Sequence, residues 1–237
     1  MNDRLSDGVE RRRRTRRALV ALTALVLGAL ATVAPGSPAG AATITVCASG
    51  CDHTSIAAAV AAAAAGDTVS IAAGTYTETE RILVVKALTI VGAGSGQTFI
   101  DSTQTTAPGV FRFSLNSAGG GAMSLSGVTV STAGTETGPH TGIQVGNGNN
   151  NPGPMSFDDV HIVGKMRPGG GESGLWISGG TNVPESPLSF TNGSITNVAG
   201  NNLLGENWRG GLTISGSTFV QSGSAFAVYH HQANNPA

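Results

Sequence analysis

Four eight-residue segments of this chain align with one another without gaps, and this internal repeat limits the folds open to it. The segments are Met123–Val130, Met155–Ile162, Leu188–Ile195 and Leu212–Phe219. Positions one, three and eight are always apolar, position two is always Ser or Thr, and position five is Gly, Asp or Asn. The starts at 123, 155, 188 and 212 give steps of 32, 33 and 24 residues. Steps of that size are typical of a solenoid.

A second pattern, a glycine followed by alternating apolar residues, recurs at the same spacing. It covers Gly109–Phe113, Gly142–Val145 and Gly174–Ile177, with Ala225–Val228 as a looser last copy. Alternation directs apolar side chains to one face, and stacked repeats make parallel strands ~4.8 Å apart. A β-sandwich is the structural alternative, but its hairpins recur at steps of roughly 8–12 residues. The two patterns therefore predict an all-β chain with two parallel strands in each repeat.

The N-terminal segment has the pattern of an export signal. A basic stretch, Arg11–Arg17, is followed by the uncharged apolar run Ala18–Ala34 and by Ala39-Gly40-Ala41. This order predicts a signal peptide over residues 1–41 with Ala42 as the first mature residue, and hence a secreted protein. An uncleaved membrane anchor is the alternative, although the run is short for a span of ~20 residues. Thr15–Val20 resembles the twin-arginine pattern, and both the Sec and the twin-arginine routes stay open.

The residues after the leader carry little charge. They contain six basic and 11 acidic residues, a net charge of −5. We expect no nucleic-acid partner, because no basic stripe is present to neutralise phosphates. No second apolar run reaches membrane-spanning length, so no membrane span is expected after cleavage. About 195 residues are enough for one domain with a real core.

Residues 42–66 are predicted to form an N-terminal cap with a disulfide and an alanine-rich helix. Cys47 and Cys51 should pair in an oxidising environment. A metal site would need further His or Cys ligands, and only His53 lies near. Thr54 or Ser55 is the expected N-cap of the helix and Gly66 its C-terminal stop.

The segment after this helix carries a family resemblance. Its residues are Gly66-Asp67-Thr68-Val69, Gly74-Thr75-Tyr76-Thr77-Glu78, Leu88–Gly94 and Thr98–Asp101. With the helix, they resemble the N-terminal cap and first coils of the pectin-lyase-like right-handed parallel β-helix superfamily. The resemblance implies a right-handed parallel β-helix, a solenoid with a short N-terminal capping α-helix, whose coils occupy residues 67–237. It implies a shape rather than a reaction, because the catalytic motifs of pectin methylesterases, polygalacturonases and pectate lyases are missing.

The densest group of titratable residues after the leader gives the candidate catalytic set. It comprises Asp158, Asp159, His161, Lys165 and Arg167. In a lyase acting on uronate polymers, carboxylates would hold calcium and a basic residue would abstract the C5 proton. The repeat gives another interpretation, because Asp159 occupies the turn position that is Gly or Asn in the other copies. His161 occupies an outward strand position.

Candidate binding residues lie outside this cluster. Trp176 stands between Leu175 and Ile177, so it should face outward, where a sugar ring can stack on it. Asn149 and Asn150 lie in one of the long Gly-, Pro- and Asn-rich segments. These segments are predicted to fall at one place in each repeat and to build one loop face.

Two functions from different classes follow from the sequence. The first is a non-catalytic secreted β-helix that binds a glycan or another extracellular polymer through its loop face, with no cofactor. The second is a calcium-dependent polysaccharide lyase. The last repeat is not followed by an evident capping helix, so the chain is either truncated relative to its relatives or associates end to end.

Overall fold

A computed structural model of the protein describes residues 40–104, 109–114, 121–132, 140–146, 153–166, 171–179, 186–208, 210–221 and 227–231. All the secondary structure described lies in one compact unit, Ala41–Ala237. Within these ranges no helix is both long and apolar enough to cross a membrane.

One short helix, α1 (Ile56–Ala62), follows the first strand of the unit. Its N-cap is Ser55, whose hydroxyl accepts from the Ala58 N–H, as the sequence predicts. The C-terminal prediction is wrong, because the helix ends at Ala62 rather than next to Gly66. The reason is that the backbone groups at this end bond to side chains instead of continuing the helix. Lys86 Nζ donates to the carbonyls of Ala61 and Ala63, and Asp67 accepts from the Ala64 N–H.

Eleven strands form one sheet in which all the pairings are parallel. Seven of them follow one another in the order β1-β2-β5-β8-β10-β12-β15. The other four lie off this path: β3 pairs with β6, β6 also pairs with β8, and β13 pairs with β10 and β16. Their bounds are β1 Thr43–Val46, β2 Thr68–Ile71, β3 Gly74–Glu78, β5 Thr89–Gly92, β6 Thr98–Ser102, β8 Met123–Ser131, β10 Met155–Val163, β12 Leu188–Thr191, β13 Ser194–Val198, β15 Leu212–Ser215 and β16 Thr218–Gln221.

The other six strands form a second parallel sheet in the order β17-β14-β11-β9-β7-β4. Their bounds are β4 Ile82–Val84, β7 Phe111–Phe113, β9 His140–Val145, β11 Glu172–Ser178, β14 Asn201–Glu206 and β17 Val228–His231. The described part of the chain is therefore all-β apart from α1, with its strands in two parallel sheets.

The four repeated segments lie side by side in register. Met155 pairs with Met123 on one side and with Leu188 on the other, and Leu188 pairs with Leu212. The apolar residues at positions one and three are buried in the first three copies, because alternate side chains of a strand face the same way. The spacing of about thirty residues thus corresponds to one step across the sheet.

Position five of each segment makes the bend that the repeat predicts. Gly127, Asp159, Asn192 and Gly216 have φ values of 64°, 52°, 54° and 58°. Gly, Asn and Asp adopt this left-handed conformation at least cost, so their recurrence in the sequence has a backbone cause.

The inner faces of the two sheets share one apolar core. Phe113 of the six-stranded sheet packs edge-on against Phe157 of the eleven-stranded sheet, with ring centroids 5.5 Å apart. Phe111, Phe190 and Phe219 extend this aromatic series on either side. The outer faces of both sheets are therefore the surfaces that meet solvent or a ligand.

The sequence pattern does not predict β14, and it misplaces the last copy of the second pattern. Leu175 pairs with Leu203 of β14, and Leu203 pairs with Val228. The looser copy instead aligns Val228 with Ile177, two positions further along the strand. Asn201–Glu206 lacks the leading glycine of the other copies. Two residues separate β13 from β14 and five separate β14 from β15, where the earlier repeats have eight and nine, which explains why the last step is 24 residues rather than 32 or 33.

The prediction that the long segments fall at one place in each repeat is also wrong. Those between β8 and β9 and between β10 and β11 lead into the six-stranded sheet. Those between β9 and β10 and between β11 and β12 lead out of it. The long segments therefore occur at two places in a repeat, before and after each strand of that sheet.

The predicted disulfide is present. Cys47 and Cys51 are bonded, with their Cα atoms 5.6 Å apart. Because the bridge closes a loop of only a few residues, it fixes the local shape of the cap more than it stabilises the whole molecule.

Candidate functional site

The neighbouring carboxylates of Asp158 and Asp159 serve different partners. Asp158 Oδ1 accepts from Thr191 Oγ1 at 2.6 Å and from Asn192 Nδ2 at 2.8 Å. These bonds, the one from the Thr191 hydroxyl first, hold the pKa of Asp158 below its usual 3.8. Asp159 accepts instead from Ser95, whose hydroxyl lies 2.5 Å from Oδ1 and whose N–H lies 3.1 Å from Oδ2. Two carboxylates engaged in this way do not form one cation site.

His161 lies beside Asp159 on the outer face of β10 and is partly exposed, as its strand position predicts. Its Nε2 is 3.7 Å from Asp159 Oδ1, and its Nδ1 is 3.1 Å from the hydroxyl of Ser194 on the next strand. The serine, the histidine and the carboxylate thus contact one another in series, as in a catalytic triad. A nucleophilic serine, however, also needs hydrogen-bond donors that stabilise an oxyanion. The nearby Gly193 N–H donates to Ser217 Oγ at 3.2 Å, so this amide is already occupied.

Lys165 is directed away from the two aspartates. Its Nζ donates to Asp101 Oδ1 at 2.7 Å, and its backbone N–H donates to the buried carboxylate of Glu172. Arg167, the last member of the predicted set, lies outside the described residues. The structure therefore brings Asp159 and His161 together, and it gives Lys165 and Asp158 other partners.

No group of three or more His, Cys, Asp and Glu side chains able to hold a metal ion occurs among the residues that the structure describes. Calcium in proteins takes roughly six to eight oxygen ligands, usually including several carboxylates. The calcium-dependent lyase stays a prediction from the sequence.

Trp176 lies on the outer face of β11, near the middle of the six-stranded sheet. Its ring is partly exposed, and its Nε1 donates to Glu206 Oε2 at 2.9 Å, which fixes the orientation of the indole. It pairs with Gln144 on one side and Leu204 on the other. We call the outward side chains in this register the outer row: Leu83, Arg112, Gln144, Trp176, Leu204 and Tyr229.

Two polar members of the outer row keep unused hydrogen-bonding atoms. Arg112 Nε and Gln144 Oε1 are buried and have no hydrogen-bond partner in the described part of the chain, and Gln144 is only 5% exposed. Burial and, after it, repulsion from Arg112 lower the pKa of Arg81. Buried polar atoms without partners are rare and costly in folded proteins. Arg112 as a whole residue is partly exposed, unlike Gln144.

Some of these additional residues had a signal in the sequence. Gln144 holds the same position in the second repeat pattern as Trp176, two residues after the glycine, whereas Arg112 stands three residues after Gly109. Ser194 holds the same position as His161 in the first pattern. Ser95 had no such signal, because its contact with Asp159 joins residues 64 positions apart. Asn149 and Asn150 lie outside the described residues.

Comparison with known proteins leaves the family open. No protein-family model and no curated protein matches the chain. One solved structure that it resembles weakly is described as ORF18 of Geobacillus virus E2, with a TM-score of 0.37 and 19% sequence identity. The match covers 64% of this chain and 24% of the viral one, so the chain spans about a quarter of that protein's length.

Proposed function

We propose that this chain is a secreted right-handed parallel β-helix protein of the pectin-lyase-like kind that binds a glycan polymer along the outer row without cleaving it. The parallel pairing of successive repeats and the core shared by two sheets support this fold, since one repeat then corresponds to one coil. The signal-like leader and the Cys47–Cys51 bridge support export to an oxidising compartment.

The observation that carries the proposal is the in-register placement of Arg112, Gln144 and Trp176 on adjacent strands. An aromatic ring packs against the apolar C–H face of a sugar, while the guanidinium of Arg112, a partly exposed residue, binds its hydroxyl or carboxylate oxygens. Glu206 holds the indole in place, so little side-chain freedom is lost on binding. Neighbouring strands lie ~4.8 Å apart, and a row across them suits a chain-like ligand better than a compact one.

Affinity electrophoresis of the full chain in gels containing polygalacturonate, alginate or a neutral glucan tests this proposal. We expect retardation by at least one polymer, weakened about thirtyfold in Trp176→Ala, because a central aromatic contact contributes about 2 kcal/mol. Phe99→Ala is the matched control, since Phe99 is an exposed aromatic on the other sheet. Equal losses in both variants, or no retardation by any polymer, would contradict the proposal.

The same polymers distinguish binding from lyase activity. Incubation with and without calcium, followed by the absorbance of unsaturated products, should show no turnover. Turnover that requires calcium and disappears in Asp159→Ala or Lys165→Ala would establish the lyase instead.

A further inference from the structure

A second row of side chains crosses the outer face of the eleven-stranded sheet, and every member bears a hydroxyl group. It occupies position two of the repeated segments and continues in register into the N-terminal cap. We call it the hydroxyl row: Thr43, Thr68, Thr89, Ser124, Ser156, Ser189 and Thr213. At ~4.8 Å for each strand, its seven members span about 29 Å.

These hydroxyls are largely free to bind a ligand. In the described part of the chain, Ser189 is the one member whose side chain has a hydrogen bond to protein, a long one of 3.5 Å to the Met155 carbonyl. Each hydroxyl offers one donor and two acceptor positions. In the next outer row, two residues further along the strands, Thr45 bonds to Asp52 and Thr191 bonds to Asp158.

A groove of about 330 Å³ follows the hydroxyl row across five neighbouring strands. Thr89, Ser124, Ser156, Ser189 and Thr213 line it together with Pro154 and Pro187. The two prolines precede β10 and β12 at the same position of the repeat, and Ala122, Met123, Met155 and Leu188 complete the lining. A groove whose hydroxyls repeat from strand to strand fits a long ligand that lies across the strands.

Charge indicates what kind of ligand fits. The hydroxyl row contains no charged residue, and Asp158 is the one charged member of the adjacent row, Thr45, Ser70, Val91, Ser126, Asp158, Thr191 and Ser215. A charged polymer would lose hydration here without gaining an ion pair. A neutral polymer rich in hydroxyls loses much less.

We propose that the hydroxyl row is a second binding site, which holds one extended, neutral polysaccharide chain parallel to the direction in which the strands stack. A rigid row of equally spaced hydroxyls selects a ligand that is already straight, because a flexible chain would have to be ordered on binding. Straight chains of this kind are exposed at the surface of insoluble polysaccharides. This site is on a different sheet from the outer row and does not depend on the function proposed for it.

Two binding rows on one molecule have a further consequence. A chain held in the groove and a glycan held at Trp176 would be joined by the same protein, and simultaneous engagement raises the apparent affinity for a mixed surface. Retention on a material containing both polymers should therefore exceed retention on either one alone.

The test is sedimentation of the full chain with microcrystalline cellulose or chitin. The triple variant Ser124→Ala, Ser156→Ala, Ser189→Ala removes the centre of the row, and we expect its binding to fall at least tenfold. The matched control Ser70→Ala, Ser126→Ala, Ser215→Ala removes the same number of hydroxyls from the adjacent row and should change binding less than twofold. Replacing the same three serines of the hydroxyl row by Thr keeps the hydroxyls and should preserve binding, which separates lost contacts from lost folding.

Four results would overturn this proposal. The first is no binding to either solid, and the second is an equal loss in both alanine triples. The third is binding to ice crystals with none to the polysaccharides, since a planar lattice does not need the groove. Loss of binding in Trp176→Ala with full binding in the hydroxyl-row triple would also overturn it, while leaving the function proposed for the outer row intact.

Discussion

Glu172 shows how one buried side chain joins three parts of the chain. Its side chain is completely buried, and its carboxylate accepts from the Thr132 hydroxyl at 2.5 Å and from the N–H groups of Lys165 and Ala199, each at 2.8 Å. These three donors lie just after β8, β10 and β13, where three successive repeats leave the eleven-stranded sheet. One carboxylate therefore satisfies two backbone N–H groups and one hydroxyl at three bends.

Replacing Glu172 should destabilise the protein without touching either proposed binding row. Glu172→Ala leaves three donors without an acceptor, and we expect the free energy of unfolding to fall by roughly 3 kcal/mol. Glu172→Gln keeps one acceptor oxygen and should lose less. Urea unfolding followed by circular dichroism measures both, with the exposed Glu80→Ala as the control. A loss no larger than that of the control would contradict this role.

At the scale of elements, Asp67 connects the end of α1 to the start of β1. Its Oδ1 accepts from the Ala42 N–H at 2.8 Å and its Oδ2 from the Ala64 N–H at 2.7 Å. These bonds, the one from Ala42 first, lower the pKa of Asp67 from its usual 3.8. The carboxylate form is therefore favoured by folding, and its contribution is present above pH 3.8 and is lost as the pH falls through the lowered value.

This linkage predicts an acid-dependent difference between the wild type and Asp67→Asn. The wild type should have the higher melting temperature at neutral pH, and the difference should shrink as the pH falls below 3.8, because protonation removes what the variant already lacks. Thermal unfolding between pH 7 and pH 2 measures it, with Glu80→Gln as the control for loss of one negative charge. A difference that stays constant over this range would rule out the proposed linkage.

Much of the element order could be predicted because the repeat records two physical requirements. Burial requires apolar residues at alternate positions, and the bend requires residues that tolerate a positive φ. The sequence of Met155–Ile162 therefore predicts a strand with a turn at Asp159. Asn201–Glu206 was missed because neighbouring strands, rather than its own pattern, hold it in the sheet. Helix α1 ends early for a similar reason, since Lys86 and Asp67 compete for its last turn.

The candidate site was less predictable, because its contacts join distant repeats. The sequence grouped Asp158, Asp159, His161 and Lys165 by proximity along the chain. The partners that decide their roles are Thr191, Ser95, Ser194 and Asp101, about 33 to 64 positions away. The outer row was partly accessible to sequence reasoning, since Gln144 and Trp176 share one position of the repeat, whereas Leu204 lies on the missed strand β14.

At the scale of the whole molecule, β15 is an edge strand in the described part of the chain, and its surface there is apolar. Leu212 and Ile214 occupy inward positions, yet each is 38% exposed, because β15 is the last strand along the path of its sheet. Residues 210–237 contain no Lys, Arg, Asp or Glu, whereas exposed edge strands are usually protected by charged residues. The end-to-end association expected from the sequence thus stays a prediction with a defined surface.

Self-association through this edge can be measured by light scattering over a range of concentrations. We expect the apparent mass to rise with concentration in the wild type and to stay at the monomer value in Ile214→Lys. A monomer at every concentration would remove the association.

Consecutive repeats lie beside one another in one parallel stack, and paired cysteine substitutions can check this arrangement. Residues facing each other on adjacent strands are ~4.8 Å apart, within the range that a disulfide bridges, whereas residues two strands apart are not. Ser156→Cys with Ser189→Cys, and Ser124→Cys with Ser156→Cys, should therefore form intramolecular disulfides that a thiol-alkylation mass measurement detects. Ser124→Cys with Ser189→Cys should keep both thiols free. A bridge in that last pair, or none in the first two, would contradict the stacked arrangement on which both binding proposals rest.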